Sequence, residues 1–238
     1  MIHITSTLVK VIPEPIKTLF KTFGFGRFLN FVYNKYDAEL LSQREWVKEF
    51  KENRSKVLKY WKKYRYLDDI NTICEITEDT KVLDVGCGIS TVLHYLKGKR
   101  FGVDPLADEY SKLYKYPEGI NIKEGFGEDI PFSDEYFDVV FCSNVLDHVT
   151  DPKKTVDEIY RVLKASGCFV LTVETFREKT TRGLKHPHSF TKRDVYSLLG
   201  GKFKTIFEKE TPRIGLRAYV NGSRRSHDKG LIMILEKA

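Results

Sequence analysis

The segment with the most chemical content is Val82-Leu83-Asp84-Val85-Gly86-Cys87-Gly88-Ile89-Ser90, an apolar run that ends in a carboxylate and breaks into a two-glycine turn. Glycines at 86 and 88 let backbone approach a bound molecule closely, and Asp84 at the strand end can accept from donors near it. A plain tight turn between a strand and a helix would use the same residues. Twenty positions on, Asp104 closes a second apolar run and is followed by Pro105. An acceptor-only, bidentate carboxylate suits the two hydroxyls of a ribose; the alternative is a helix N-cap for the segment 107–113. Two places could move protons. His148 stands beside Asp147, which can orient an imidazole, and His186 and His188 flank Pro187 ahead of Ser189-Phe190-Thr191. Capping, packing or plain surface exposure would account for these histidines equally well.

The elements that must position these residues follow from the hydrophobic period. Short apolar runs at 82–85, 101–103, 120–122, 137–142 and 168–173 alternate with helix-like stretches at 90–96, 151–164 and 191–199. Alternating strands and helices predict a mostly parallel sheet covered on both faces. Residues 203–209 and 231–236 read as two further strands with no helix between them, so they are expected to pair antiparallel. Thr191 with Asp194 three residues on reads as a helix N-cap. Residues 1 to about 78 read as helical instead, with Pro13 and Pro15 opening one helix and a long pattern from 37 to 66 that includes Leu40, Val47, Phe50 and Trp61.

With these blocks in place, the chain resembles the class I S-adenosylmethionine-dependent methyltransferases, especially the group similar to the ubiquinone and menaquinone biosynthesis enzymes. The resemblance covers roughly 81–173. Besides the glycine turn and Asp104 it rests on Gly127-Glu128-Asp129-Ile130-Pro131-Phe132, Phe137-Asp138-Val139-Val140, Ser143-Asn144-Val145-Leu146-Asp147-His148-Val149, and Glu158 with Arg161-Val162-Leu163-Lys164. It implies a Rossmann-like α/β fold, a seven-stranded mostly parallel sheet with an antiparallel last strand. A helical N-terminal cap over residues 1–78 would precede a cofactor-binding domain over 79–238. A nicotinamide-type site is disfavoured because the turn lacks the third glycine of G-x-G-x-x-G.

Carried onto these positions, the resemblance implies that Asp84, Gly86 and Gly88 border the methionine part of S-adenosylmethionine. Asp104 holds the ribose, Gly127, Glu128 and Asp129 face the adenine, and Asn144 meets the amino-acid end. The chain departs from the pattern twice: Ser90 replaces a third glycine, and Phe126 stands where many relatives have an aspartate. Phe126 could stack on the base, Glu128 could supply the missing acceptor, or Phe126 could be a core residue. His148, or a histidine of the 186–188 stretch in a substrate-covering loop, is the candidate general base. The implied reaction is methyl transfer to a small molecule, preferably at an oxygen of a glycan, lipid or quinone-like compound. A non-catalytic S-adenosylmethionine-binding or partner-binding module and an RNA methyltransferase are the alternatives. Absence of an Asn/Asp-Pro-Pro-Tyr/Phe block and of a Pro-Cys setting at Cys142 argues against nucleic-acid bases.

Composition narrows partners and compartment. The chain is +7 overall, and residues 1–70 carry 14 Lys and Arg against 8 Asp and Glu, so most of the excess lies in the N-terminal third. Within residues 1–35, basic residues interleave with Phe20, Phe23, Phe25, Phe28, Phe31 and Tyr33, which suits a lid over a greasy acceptor, a peripheral membrane contact, or packing. The basic stretch 177–193 could attract an anionic acceptor or simply face water. Cys74, Cys87, Cys142 and Cys168 form no C-x-x-C pair, so neither disulfides nor a metal are expected. No apolar run approaches the roughly 20 residues a spanning helix needs. With no secretory signal read at the N-terminus, the expected compartment is the cytoplasm.

Overall fold

The computed structural model describes residues 35–50, 58, 59, 61, 66–180, 182, 186–212 and 229–238. The expected helix after Pro13 and the aromatic-basic stretch before residue 35 lie outside the described residues. Seven strands, β1 (Lys81–Val85), β2 (Lys99–Asp104), β3 (Ile120–Glu124), β4 (Phe137–Ser143), β5 (Leu163–Thr175), β6 (Phe203–Pro212) and β7 (Lys229–Lys237), form one sheet. Its order is β3-β2-β1-β4-β5-β7-β6. The first five strands run parallel, and β7 is antiparallel to both β5 and β6, as the helix-free tail predicted. The strand order reverses direction between β1 and β4, and a crevice at such a switch point is where open α/β sheets take ligands.

Burial on both faces explains the unbroken apolar strands. Along β4, Val140 and Cys142 enter one core with Val156, Ile159 and Val162 of α4 (Pro152–Val162) and Val195 and Leu199 of α5 (Lys192–Leu199). Val139 and Phe141 enter the other, with Leu67 and Ile70 of α2 (Tyr66–Ile73) and Tyr110 of α3 (Ala107–Leu113). Leu40, Trp46 and Val47 of α1 (Lys35–Phe50) pack on this second core. Helix α5 carries the expected cap, with Thr191 and Asp194 bonded reciprocally and Gly200 closing it in the left-handed region.

Three boundaries differ from the sequence reading. The helix expected at 90–96 is only a 3-10 turn, Val92–His94. All three of its residues are buried and the Thr91 hydroxyl is tied to Asp84, so an amphipathic helix has no solvent face to present. Helix α4 stops at Val162, because Leu163 already pairs with Phe137 in an unexpectedly long β5. The pattern from 37 to 66 yields α1 and the start of α2, and 51–57 between them is outside the described residues.

Candidate active site

Everything chemically informative gathers at the carboxyl ends of β1, β2 and β4. Gly86 and Cys87 donate to the Val103 carbonyl at 2.7 and 3.2 Å, which folds the turn toward β2. Gly86 (φ +67°) and Gly88 (φ +52°) are both left-handed. A Cβ on Gly86 would meet Val145 Cγ2 at 2.5 Å, and one on Gly88 would meet Gln43 Nε2 at 2.9 Å. Asp104 Oδ2 accepts from Gly88 N at 3.1 Å, and its Oδ1 accepts from Leu106 N at 2.9 Å. The N-cap of α3 is Leu106, with no side-chain cap, so Asp104 belongs to the glycine turn and not to that helix end. Asp84 Oδ2 accepts from the Thr91 hydroxyl at 2.7 Å. Burial pushes Asp84 up to about 7 against that hydrogen bond, and burial likewise pushes Asp104 up to about 6.

The adenine-side residues are more dispersed. Gly127 is buried, and a Cβ there would strike Thr155 of α4 at 2.9 Å. Glu128 Oε1 accepts from Thr150 N at 2.6 Å and Asp151 N at 3.0 Å, so this oxygen holds the loop ahead of α4. Asp129 is exposed, and its N–H meets the Phe126 carbonyl at 3.1 Å. Phe126 is 47% exposed with Tyr36 edge-on at 6.4 Å, which removes the core-residue reading. Asn144 turns the chain after β4 at φ +60°, its N–H bonded to the Thr172 carbonyl at 2.8 Å, and its buried Oδ1 has no hydrogen-bond partner among the described residues.

Two of the three candidate histidines come together. His186 Nδ1 lies 2.7 Å from Asp147 Oδ2, His148 Nε2 lies 3.8 Å from Asp147 Oδ1, and the two rings meet with centroids 4.1 Å apart. Asp147 is buried, and its Oδ1 has no hydrogen-bond partner among the described residues. Arg182 binds Asp147 Oδ2 through one guanidinium nitrogen and Glu174 Oε2 at 3.0 Å through another. That arginine is committed to ion pairs, not left to attract an anionic acceptor. Burial raises the Asp147 carboxyl, but the His186 hydrogen bond and the charges of His148, His186 and Arg182 outweigh it and hold the group below the usual range. His188 turns elsewhere: its Nε2 lies 3.0 Å from the Val149 carbonyl and 3.3 Å from that of Thr150, pinning the 186–190 loop to the 147–150 loop.

Helix α1 supplies residues the sequence reading did not single out. Lys35, Glu39 and Gln43, spaced four apart, line the rim. Lys35 Nζ donates to the His148 carbonyl at 3.3 Å and the Thr150 hydroxyl at 3.2 Å, and Glu39 Oε2 lies 4.0 Å from His148 Nδ1. Gln43, the chain's sole glutamine, accepts from Ile89 N at 3.0 Å and donates to Glu39 at 3.0 Å. Tyr116 adds a hydroxyl 3.0 Å from the Gly88 carbonyl. An i, i+4, i+8 polar series on a helix that also packs Leu40, Trp46 and Val47 on the core was the available signal.

The strand order, the glycine turn after β1 and the buried acid after β2 are those of a class I S-adenosylmethionine-dependent methyltransferase domain. Residues 83–171 match the family described as a methyltransferase domain. It is 30% identical over 110 residues to YrhH of Bacillus subtilis (strain 168), which bears a methyltransferase name, covering 42% of this chain and 61% of that protein. It is 34% identical over 100 residues to the ubiquinone biosynthesis O-methyltransferase of Pseudomonas fluorescens (strain Pf0-1), covering 37% of this chain and 41% of that protein. The chain thus matches about half the length of such relatives. Among solved structures, YcgJ from Bacillus subtilis superposes with a TM-score of 0.56 at 17% identity, covering 73% of this chain and 98% of that one. The [4+2]-cyclase SpnF shares the fold at a TM-score of 0.57 and 16% identity, over 73% of this chain and 80% of that one. No described helix is long and apolar enough to cross a membrane.

Proposed function

We propose that this protein transfers a methyl group from S-adenosylmethionine to a small molecule, at an oxygen of a glycan, lipid or quinone-like compound. The observation that carries the reading is the buried Asp104 carboxylate, bonded to the Gly88 N–H at the sheet's switch point. The residues present fit the cofactor. Each Asp104 oxygen keeps a lone pair beyond its one backbone bond, enough for a diol. The orphaned Asn144 Oδ1 is an acceptor suited to an ammonium, and glycine at 86 and 88 allows the turn its left-handed backbone with Val145 and Gln43 packed directly against it. When bound, S-adenosylmethionine supplies a methyl already activated on a sulfonium, so the protein's task is positioning in a site that excludes water.

The preference for oxygen rests on Asp147, His148 and His186, whose atoms can hold a hydroxyl or take its proton. His188 serves the same reaction as a positioning residue, because it fixes the loop that carries His186. Residues 1–78 act as a cap over the 79–238 domain, a division supported by the contacts of Lys35, Glu39 and Gln43 with the site's rim. A fold shared with a cyclase does not by itself establish methyl transfer. Formation of S-adenosylhomocysteine with a cell extract as acceptor source tests the reading; binding of S-adenosylmethionine with no product from any extract would leave a binding module.

A further inference from the structure

The geometry points to a divalent transition-metal site formed by Asp147, His148 and His186, with positions left open for an acceptor oxygen. One ligand atom from each of the three residues can be chosen so that all lie within 4.8 Å of one another. Bonds of about 2.0–2.2 Å to a tetrahedral ion put ligand atoms about 3.4 Å apart, so small side-chain rotations would close the set. Two imidazoles and a carboxylate are a borderline-soft donor set suited to Zn²⁺, Mn²⁺, Fe²⁺ or Co²⁺ more than to Mg²⁺ or Ca²⁺.

A second, independent observation concerns what stands behind these ligands. Ligating histidines commonly present their other ring nitrogen to a carboxylate, which fixes the tautomer and raises basicity. Here Asp147 Oδ2 lies 2.7 Å from His186 Nδ1, so that nitrogen turns toward the cluster, and Glu39 Oε2 stands 4.0 Å from His148 Nδ1, on the side of the ring away from Asp147. His186 Nδ1 and His148 Nε2 are therefore the ring atoms that can meet an ion beside Asp147. Arg182 and His186 both bind Asp147 Oδ2, and Oδ1 is the buried oxygen without a hydrogen-bond partner, facing His148 Nε2 at 3.8 Å. A carboxylate 1% exposed thus leaves one oxygen without a hydrogen bond, an unsatisfied buried acceptor that a cation would relieve. The Arg182 charge is shared with Glu174, so the local balance still favours a cation.

The site's role rests on the methyl-transfer reading. An acceptor hydroxyl on the ion loses its proton to solvent at lower pH than in water. The oxygen's lone pair forms the new O–CH3 bond while the S–CH3 bond breaks, its electron pair staying on sulfur. No metal was expected from the sequence, because the ligands come from two loops whose pairing, 39 positions apart, exists only in the fold.

The test uses the full chain, stripped with a chelator, desalted, and titrated with Zn²⁺ by calorimetry and with Co²⁺ by visible absorption. One equivalent should bind, with Co²⁺ bands of a low-coordinate N2O set, and His186→Ala should weaken binding by tenfold or more. His186 sits on a loop, so its loss spares the core; Asp147→Asn is the second variant, read the same way if it folds. S-adenosylmethionine affinity is measured on the same samples. No stoichiometric binding, or binding that His186→Ala leaves unchanged, overturns the site. Stoichiometric metal with no S-adenosylmethionine binding overturns the methyltransferase reading and leaves the metal site standing. Chelator-treated protein that methylates at the full rate overturns the assigned role in transfer.

Discussion

Replacing Gly86 by alanine tests the turn on which the cofactor cradle depends. Two costs follow from the structure. At φ +67° a side chain enters the left-handed region, worth about 1–2 kcal/mol for an L-residue. The new Cβ also falls 2.5 Å from Val145 Cγ2, inside any allowed contact, and overpacking of this kind costs about 1–3 kcal/mol. The sum, about 2–5 kcal/mol, should lower the urea midpoint by about 1 M at a slope of roughly 3 kcal/mol/M, with the slope itself unchanged. Val145→Ala alone removes two carbons and costs about 1.5 kcal/mol at 0.8 per methylene. Because it also removes the atoms that clash, the double variant should be more stable than the two single losses predict, by about 1–3 kcal/mol. Denaturation of all four proteins, with calorimetry of S-adenosylmethionine on each, completes the cycle. A Gly86→Ala protein within about 0.5 kcal/mol of the parent, or strictly additive losses, would falsify the account of this turn.

Four further outcomes are expected. Asp104→Ala should weaken S-adenosylmethionine binding by about 1.5–3 kcal/mol, the range for hydrogen bonds to a charged group, and unchanged calorimetric affinity removes Asp104 from the site. Asp84, raised from 3.8 to about 7, holds an extra proton in the folded state, so its contribution to stability falls as pH rises from about 4 to about 7. Asp84→Asn should therefore gain on the parent by roughly 2–4 kcal/mol across that window, at about 1.4 kcal/mol per pH unit, and parallel pH–stability curves would refute this. His186→Ala should cut turnover about a hundredfold while sparing cofactor affinity; normal turnover returns the ring to a structural role. Deleting residues 1–34 should abolish transfer yet keep S-adenosylmethionine binding, and co-sedimentation with anionic vesicles, with and without the segment, decides whether it meets membrane.

What was legible in the sequence was whatever is encoded locally. The central strands β1, β4, β5 and β7 announced themselves through runs buried on both faces, and the Thr191–Asp194 cap could be read from two residues three apart. Asp84, Gly86, Gly88 and Asp104 were visible because one strand–turn–helix unit and the next strand contain them all. Residues that meet only through tertiary contact were not. His186 looked like His188 in the sequence, yet one ring reaches Asp147 and the other is spent on two carbonyls. Arg182 looked like one of several loop cations until Glu174 and Asp147 fixed it. The missing helix at 90–96 reflects a side-chain contest, in which Thr91 serves Asp84 and the Leu93 N–H instead of leaving room for a regular helical turn.

Helix α1 touches the rim at two separated points, Gln43 on the Ile89 N–H beside β1 and Lys35 on the loop after β4. It therefore acts as a crossbar over the crevice between them. A molecule beneath a crossbar cannot exchange at a rate set by its own contacts alone. Its release rate is multiplied by the fraction of time the bar is open, and each release must wait for the contacts at both ends to open together. The two ends are chemically unlike: a charged amine rests on a carbonyl and a hydroxyl, and a neutral amide oxygen takes a backbone N–H.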